Sequence, residues 1–229
     1  MSKLNLAQRT ALTQMFGDRV NFRDTERILY GHDIGAIPGL MKPITGITLP
    51  DAVVQPSTEA EIIRLMDWAR KQRIALTPRG MATSGYGGVL PVKKGIVVDF
   101  HRMNQIISLD QDKILVTVQP GIIWEKLDRE LNKQQLTLRL YPSSYPASTV
   151  GGWLSQGGAG IGSYEMGWFR ESVVSARVVL PDAAARDFSG DELELRCRSD
   201  LCVCRATDAS TCQGESNRWR VRKVRHSLT

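Results

Sequence analysis

Two glycine-rich stretches hold the residues whose types and spacing suit chemistry. The first is Pro78-Arg79-Gly80-Met81-Ala82-Thr83-Ser84-Gly85-Tyr86-Gly87-Gly88. Glycine lets backbone approach a ligand closely, and successive exposed N–H groups form a concave nest for anionic oxygen. Thr83 and Ser84 add hydroxyl donors. A long surface turn is the competing reading. No Gly-Lys-Ser/Thr follows and no GxGxxG opens a helix, so neither a Walker loop nor a Rossmann fingerprint is present. The second stretch runs from Pro142-Ser143-Ser144 through Thr149-Val150-Gly151-Gly152 to Gly162-Ser163. Six of its last thirteen residues are glycine, which weakens any regular element. Close packing of backbone against a flat ligand or a phosphate is one reason for such density. A flexible linker is the other, but Trp153, Leu154 and Ile161 are poor linker residues.

The elements that must position these loops alternate between strand and helix patterns. Leu4 to Phe16 reads as an amphipathic helix stopped by Gly17, and 34–50 as an irregular connection rich in Gly and Pro. Ala52 to Gln55 is a short strand, and Thr58 with Glu61 predicts a capping box opening a helix. Ile62, Leu65, Met66 and Ala69 supply that helix's buried stripe. Ile74 to Thr77 and Gly95 to Phe100 read as strands flanking the first loop, the second apolar enough to be buried on both faces. Ile106 to Leu109 and Ile114 to Val118 pair across the Asp110-Gln111-Asp112 turn. Ile123, Leu127 and Leu131 mark a helix, and Ser172 to Leu180 a strand. The mixture of βα units and hairpins gives an α+β class.

Composition narrows the function. With 42% hydrophobic and 24% charged residues among 229, the chain reads as a soluble globular protein. No apolar run is long enough for a membrane span, and the first residues lack a secretory pattern, so a cytoplasmic seat is expected. The net charge of +6 sits mostly in residues 196–229, which carry seven Arg and one Lys against three acidic residues. The body is nearly neutral, so no nucleic-acid surface is implied. His32 and His101 read as hydrogen-bonded structural histidines, with Asp33 placed to orient His32. No catalytic residue stands out.

Several short motifs, in order and with consistent gaps, carry a family resemblance. They are Tyr30-Gly31-His32-Asp33, Ala52-Val53-Val54 with Pro56-Ser57-Thr58, Pro78-Arg79-Gly80 with Thr83-Ser84, Gly95 to Asp99, and Arg102-Met103-Asn104. Val118 to Gly121, Thr149 to Gly152 and Val178 to Asp182 complete the series. The chain resembles the FAD-binding (PCMH-type) domain of the vanillyl-alcohol oxidase/p-cresol methylhydroxylase superfamily. Within it, the FAD-linked oxidase branch of glycolate oxidase D-subunits and D-lactate dehydrogenases is most similar. The resemblance implies two α/β subdomains with FAD between them. Pro78, Arg79, Gly80, Met81, Ala82, Thr83 and Ser84 would wrap the diphosphate. Pro142, Ser143, Ser144, Thr149, Gly151, Gly152, Ser155, Gly158 and Gly162 would run along the diphosphate and the ring, with Val173 nearby. Trp153, Ala159 and Met166 depart from the family pattern. Neither loop holds a His or Cys of the kind that tethers flavin in some relatives, so the FAD is expected to be non-covalent.

The domain reading that follows is a lead-in over 1–48, an FAD-binding domain over 49–195, and a basic, cysteine-containing tail over 196–229 expected to be disordered. The resemblance stops near Leu195, where the family continues with a further strand and a substrate domain. A truncated or frame-shifted end is therefore expected, leaving the fold incomplete at its C-terminal side. The spacing of Cys197, Cys202, Cys204 and Cys212 matches no familiar zinc or iron–sulfur pattern, so no metal is expected. The expected function is the FAD-binding portion of an oxidoreductase acting on a 2-hydroxy acid, with hydride passing from substrate carbon to flavin N5. A partner subunit, such as one carrying iron–sulfur clusters, would complete the site. A non-catalytic flavin-binding subunit and an inert fragment are the alternatives.

Overall fold

Two runs of β-branched residues organise the first half of the chain. In the computed structural model, which describes residues 4–35 and 49–189 and the backbone of 195–198, 201–204 and 219–222, Ala52–Val54 (β2) and Ile96–Asp99 (β4) are buried at every position. Burial on both faces is the signature of central parallel strands. Accordingly β4 pairs in parallel with β2 on one side and with Leu76–Arg79 (β3) on the other. Val20–Asn21 (β1) adds an antiparallel edge, giving the order β1-β2-β4-β3.

The first helix, Leu6–Phe16 (α1), starts at Asn5, whose side chain forms a reciprocal capping box with Gln8, and ends at Gly17. The sequence reading sets this helix apart in the 1–48 lead-in. The chain divides into two compact units, one running to Met103 with Pro181–Ala184, the other comprising the remainder. Leu12 and Phe16 of α1 share the first unit's core with Val54, Leu65, Ile96 and Val98. Asp24–Leu29 (α2), unanticipated in the sequence, belongs to the same unit.

Glu59–Gln72 (α3) begins at Thr58, whose hydroxyl accepts from the Glu61 amide at 3.3 Å. Only half of the expected capping box forms. The Glu61 carboxylate takes the Ser57 amide at 2.8 Å and a two-pronged contact from Arg19 at 2.6 and 2.7 Å. The Arg19 guanidinium holds that carboxyl down to about 2. A long-range partner with a matching fork outcompetes the local backbone amide. Leu65 and Ala69 supply the buried stripe as expected, with Ile62 and Met66 only half-buried.

The second unit holds a five-stranded antiparallel sheet, β5-β6-β11-β7-β8. Its strands are Ile106–Asp110 (β5), Leu115–Val118 (β6), Val173–Val179 (β7), Ala185–Ser189 (β8) and Trp219–Arg222 (β11). The last lies in the segment read from sequence as a disordered tail, and its backbone pairs with β6 and β7 together. Leu195–Arg198 (β9) and Leu201–Cys204 (β10) form a separate antiparallel pair. Cys212 lies outside the described residues, as does most of the 34–50 connection.

Among the described residues, this unit also holds the α-helices Trp124–Asn132 (α4), Val150–Ser155 (α5) and Ser163–Met166 (α6). Its core centres on an aromatic trio. Trp153 stacks on Phe169 at 5.0 Å, and Trp124 meets both edge-on at 5.0 Å. Among the described residues no helix is long and apolar enough to cross a membrane.

Candidate functional site

In open sheets with parallel strands, ligands collect at the carboxyl ends of the strands. In the first unit that end carries the 79–88 loop after β3, Phe100 to Arg102 after β4, and Gln55 to Ser57 after β2. The loop leaves β3 at Arg79 and turns through Ala82, a non-glycine residue at φ 54°. A left-handed alanine costs on the order of 1 kcal/mol, and such outliers concentrate where backbone geometry serves a ligand. Among the described residues, the amides of Gly80, Met81 and Ala82 donate to no protein acceptor. Three consecutive uncommitted N–H groups through a turn of this kind make a nest for anionic oxygen. Of the remaining expected residues, Pro78 and Met81 are exposed, Thr83 and Ser84 half-buried, and the Ser84 hydroxyl accepts from the Tyr86 amide at 3.3 Å.

A polar network lies beside this loop in the first unit. Asp99, at 3% exposure, accepts from the Tyr30 hydroxyl at 2.6 Å and pairs with His101 Nδ1 at 2.8 Å. Gln55 Nε2 approaches the same carboxylate at 3.4 Å, and Arg102 Nε reaches Gln55 Oε1 at 3.1 Å. Arg79 lies over the Tyr30 ring at 5.0 Å and donates to the His32 carbonyl at 2.8 Å. Burial pushes the Tyr30 phenol up, and its bond to Asp99 adds to the effect. Burial also lowers the Arg79 guanidinium, against the pull of Tyr30, Asp99 and Asp33. Arginine stays cationic under such a shift, so the loop keeps one positive charge beside its amides.

The second stretch, in the second unit, is built differently. Its Thr149 to Ser155 portion is not loop but helix α5, capped by the Thr149 hydroxyl on the Gly152 amide at 3.3 Å. The Ser155 hydroxyl donates to the Gly151 carbonyl at 2.8 Å, and the Ser144 and Ser148 hydroxyls bond to each other. The glycines face protein. A Cβ on Gly151 would stand 2.6 Å from Pro120 Cβ, one on Gly160 2.8 Å from the Trp153 ring, and one on Gly158 inside Phe169. Gly162, at φ 90°, lies against the Arg139 carbonyl. Pro142 is buried and Val173, 5% exposed, belongs to the aromatic core. Trp153, one of the three departures from the family pattern, is a core residue. Of the residues expected to touch cofactor here, Ser143 and Ser155 are the exposed ones.

The sequence offers Asp33 only as a partner for His32. Among the described residues, His32 Nδ1 meets the Asp33 carbonyl, at 3.3 Å. The Asp33 carboxylate instead accepts from the Gly35 and Gly87 amides, both at 2.8 Å. The available signal was an Asp two residues before a Gly, an Asx-turn pattern, but its second partner lies 54 residues away.

Residues 50–189 match the family model described as "FAD binding domain". The glycolate oxidase subunit GlcD of Bacillus subtilis (strain 168) is 32% identical over 183 residues, 76% of this chain and 37% of that protein. The alkyldihydroxyacetonephosphate synthase of Dictyostelium discoideum is 32% identical across 58% of this chain and 22% of its own length. The mitochondrial D-lactate dehydrogenase [cytochrome] of Arabidopsis thaliana is 31% identical across 59% and 24% respectively. A solved alkyldihydroxyacetonephosphate synthase superposes with a TM-score of 0.72 at 26% identity, covering 84% of this chain and 35% of that one. The chain thus spans well under half the length of these relatives. The uncommitted amides and the adjacent cation fit the diphosphate of a dinucleotide, and the chain belongs to the FAD binding domain family, with FAD as its cofactor.

Proposed function

We propose that the chain binds FAD non-covalently, with the amides of Gly80, Met81 and Ala82 on the diphosphate and Arg79 supplying positive charge beside them. The supporting observation is the run of three uncommitted amides around left-handed Ala82, at the carboxyl ends of parallel strands. Thr83 and Ser84 extend this cradle. Pro142 to Ser144 and Thr149 to Gly162, in the second unit, serve mainly as a packed scaffold, with Ser143 and Ser155 its exposed hydroxyls. When bound, FAD supplies a two-electron acceptor.

The substrate class we infer is a 2-hydroxy acid, supported by likeness to a glycolate oxidase subunit and a D-lactate dehydrogenase. Oxidation to the 2-keto acid would send hydride from the substrate carbon to flavin N5 and the hydroxyl proton to a base. None of the candidate residues is placed as that base, which we assign to a substrate domain or partner subunit; an iron–sulfur electron-transfer subunit would separately take the electrons from the reduced flavin. The second reading is a flavin-binding subunit with different chemistry, favoured by 32% identity over 135 residues to an alkyldihydroxyacetonephosphate synthase.

Reconstituting the purified chain with FAD tests the first step. One FAD per chain, released into the supernatant on acid precipitation, is expected; colour kept in the pellet would contradict non-covalent binding. Anaerobic glycolate or D-lactate, added with candidate partner subunits, then separates the readings. Bleaching of the flavin's visible absorbance supports the 2-hydroxy-acid reading, and no bleaching with either acid sinks it.

A further inference from the structure

We propose that Asp33 and Gly35 are positioning residues that hold the phosphate-binding loop in shape, making segment 32–35 the second wall of the cradle. The proposal rests on the placement of the FAD diphosphate at Gly80 to Ala82 given above.

Four contacts tie the two segments together within the first unit. Arg79 Nη1 donates to the His32 carbonyl at 2.8 Å, where the loop begins. The Ile34 amide donates to the Ala82 carbonyl at 3.3 Å, at the left-handed residue itself. Gly35 lies so close to Gly85 that a Cβ would stand 2.8 Å from the Gly85 carbonyl oxygen. Asp33 Oδ2 takes the Gly87 amide at 2.8 Å, where the loop ends. Its other oxygen takes the Gly35 amide, also at 2.8 Å, and so fixes segment 32–35 itself. The loop is therefore gripped at its start, its turn and its end, while Gly80, Met81 and Ala82 keep their amides uncommitted.

A carboxylate beside an anion-binding loop is electrostatically wrong for its ligand, and this opposition makes the proposal testable by sign. If the charge of Asp33 dominated, removing it would draw a diphosphate in more tightly. If its grip on the two amides dominates, removing it releases the loop and binding weakens. Charge-assisted bonds to backbone amides at 2.8 Å are strong ones, and two amides spread the charge they receive. The grip should win.

The experiment measures FAD affinity by flavin fluorescence and ADP affinity by competition, for the wild-type chain and for Asp33→Asn, Asp33→Ala and Gly35→Ala. Thermal melting of each apo chain reports folding. Asp33→Asn keeps size and one acceptor, so roughly tenfold weaker binding of both ligands is expected, with the apo melt nearly unchanged. Asp33→Ala should lose more, and Gly35→Ala should lose affinity by pushing the two segments apart. Partial retention in Asn relative to Ala is the rescue a purely steric role would not show. Unchanged or tighter binding in Asp33→Asn overturns the proposal, as does wild-type affinity in Gly35→Ala. A wild-type chain that binds FAD while ignoring ADP moves the diphosphate away from this loop and overturns it too. If the wild-type chain binds neither, the underlying FAD placement falls, and this proposal with it.

Discussion

The two glycine-rich stretches look alike in composition and differ in what their glycines are for. In the second, glycine makes room for protein: Gly158 yields to Phe169, Gly160 to the Trp153 ring and Gly151 to Pro120. In the first, the neighbours stand further off: a Cβ on Gly88 would meet nothing within 4 Å, one on Gly85 or Gly87 would make only ordinary contact with Gly35 or Leu90, and Gly80 contributes one of the uncommitted amides. Density of glycine signals close approach to something. Whether that something is an aromatic core or a ligand is a property of the neighbours. The hydroxyls do not separate the two stretches: those of Ser144, Ser148, Thr149 and Ser155 bond within the second, and the Ser84 hydroxyl accepts from the Tyr86 amide within the first.

The largest effect that could break this comparison is expected at Gly158. It sits at φ 70° with Phe169 in the way, so Gly158→Ala combines backbone strain with overpacking. A loss of about 3 kcal/mol or more is expected, read as a collapsed denaturation midpoint whether or not FAD is present. A stable Gly158→Ala variant that merely lost FAD would instead mark the second stretch as ligand-facing. Gly80→Leu should do the reverse. The chain should melt normally, yet FAD retention should fall at least about a hundredfold, because a bulky side chain beside the uncommitted amides blocks the diphosphate. Normal FAD retention by a folded Gly80→Leu chain would show that the first stretch is not the cradle.

Ending the chain at Leu195 should affect only the second unit. The backbone pairing of Trp219–Arg222 leaves β6 and β7 with exposed edges when it is removed. A stability loss of about 2 kcal/mol is expected, whereas a disordered tail would leave the melt unchanged. Acid should act on the first unit through Glu61, whose carboxyl drops from 4.5 to about 2 on folding. A depressed carboxyl adds stability above its unfolded value and loses it as the pH falls through the folded one. The Arg19–Glu61 contribution is thus complete above roughly pH 5 and drains away toward pH 2. Glu61→Gln should flatten the first unit's pH–stability profile in that window; an unaltered profile would show that the pair contributes little. The smallest effect is expected at Gly88, where Gly88→Ala should shift stability by no more than about 0.5 kcal/mol.

What the sequence determined alone was local. The alternation of β-branched runs with capped helices placed β2, α3, β4, the β5–β6 hairpin and α4 within a few residues, because period and capping act over one or two turns. The ordered motifs carried the family and the cofactor, because a diphosphate needs a backbone cradle and few sequences supply one there. Tertiary structure decided everything that depends on a distant neighbour. Glu61 leaves its expected cap for Arg19, 42 residues away, and Asp33 reaches the Gly87 amide across 54. Val150–Ser155 forms a helix despite two glycines, because Trp153 and Leu154 bury there and packing outweighs intrinsic propensity. The same reason separates the two glycine-rich stretches. A glycine's own chemistry is identical in both, and only the folded chain says whether the space it leaves is already taken.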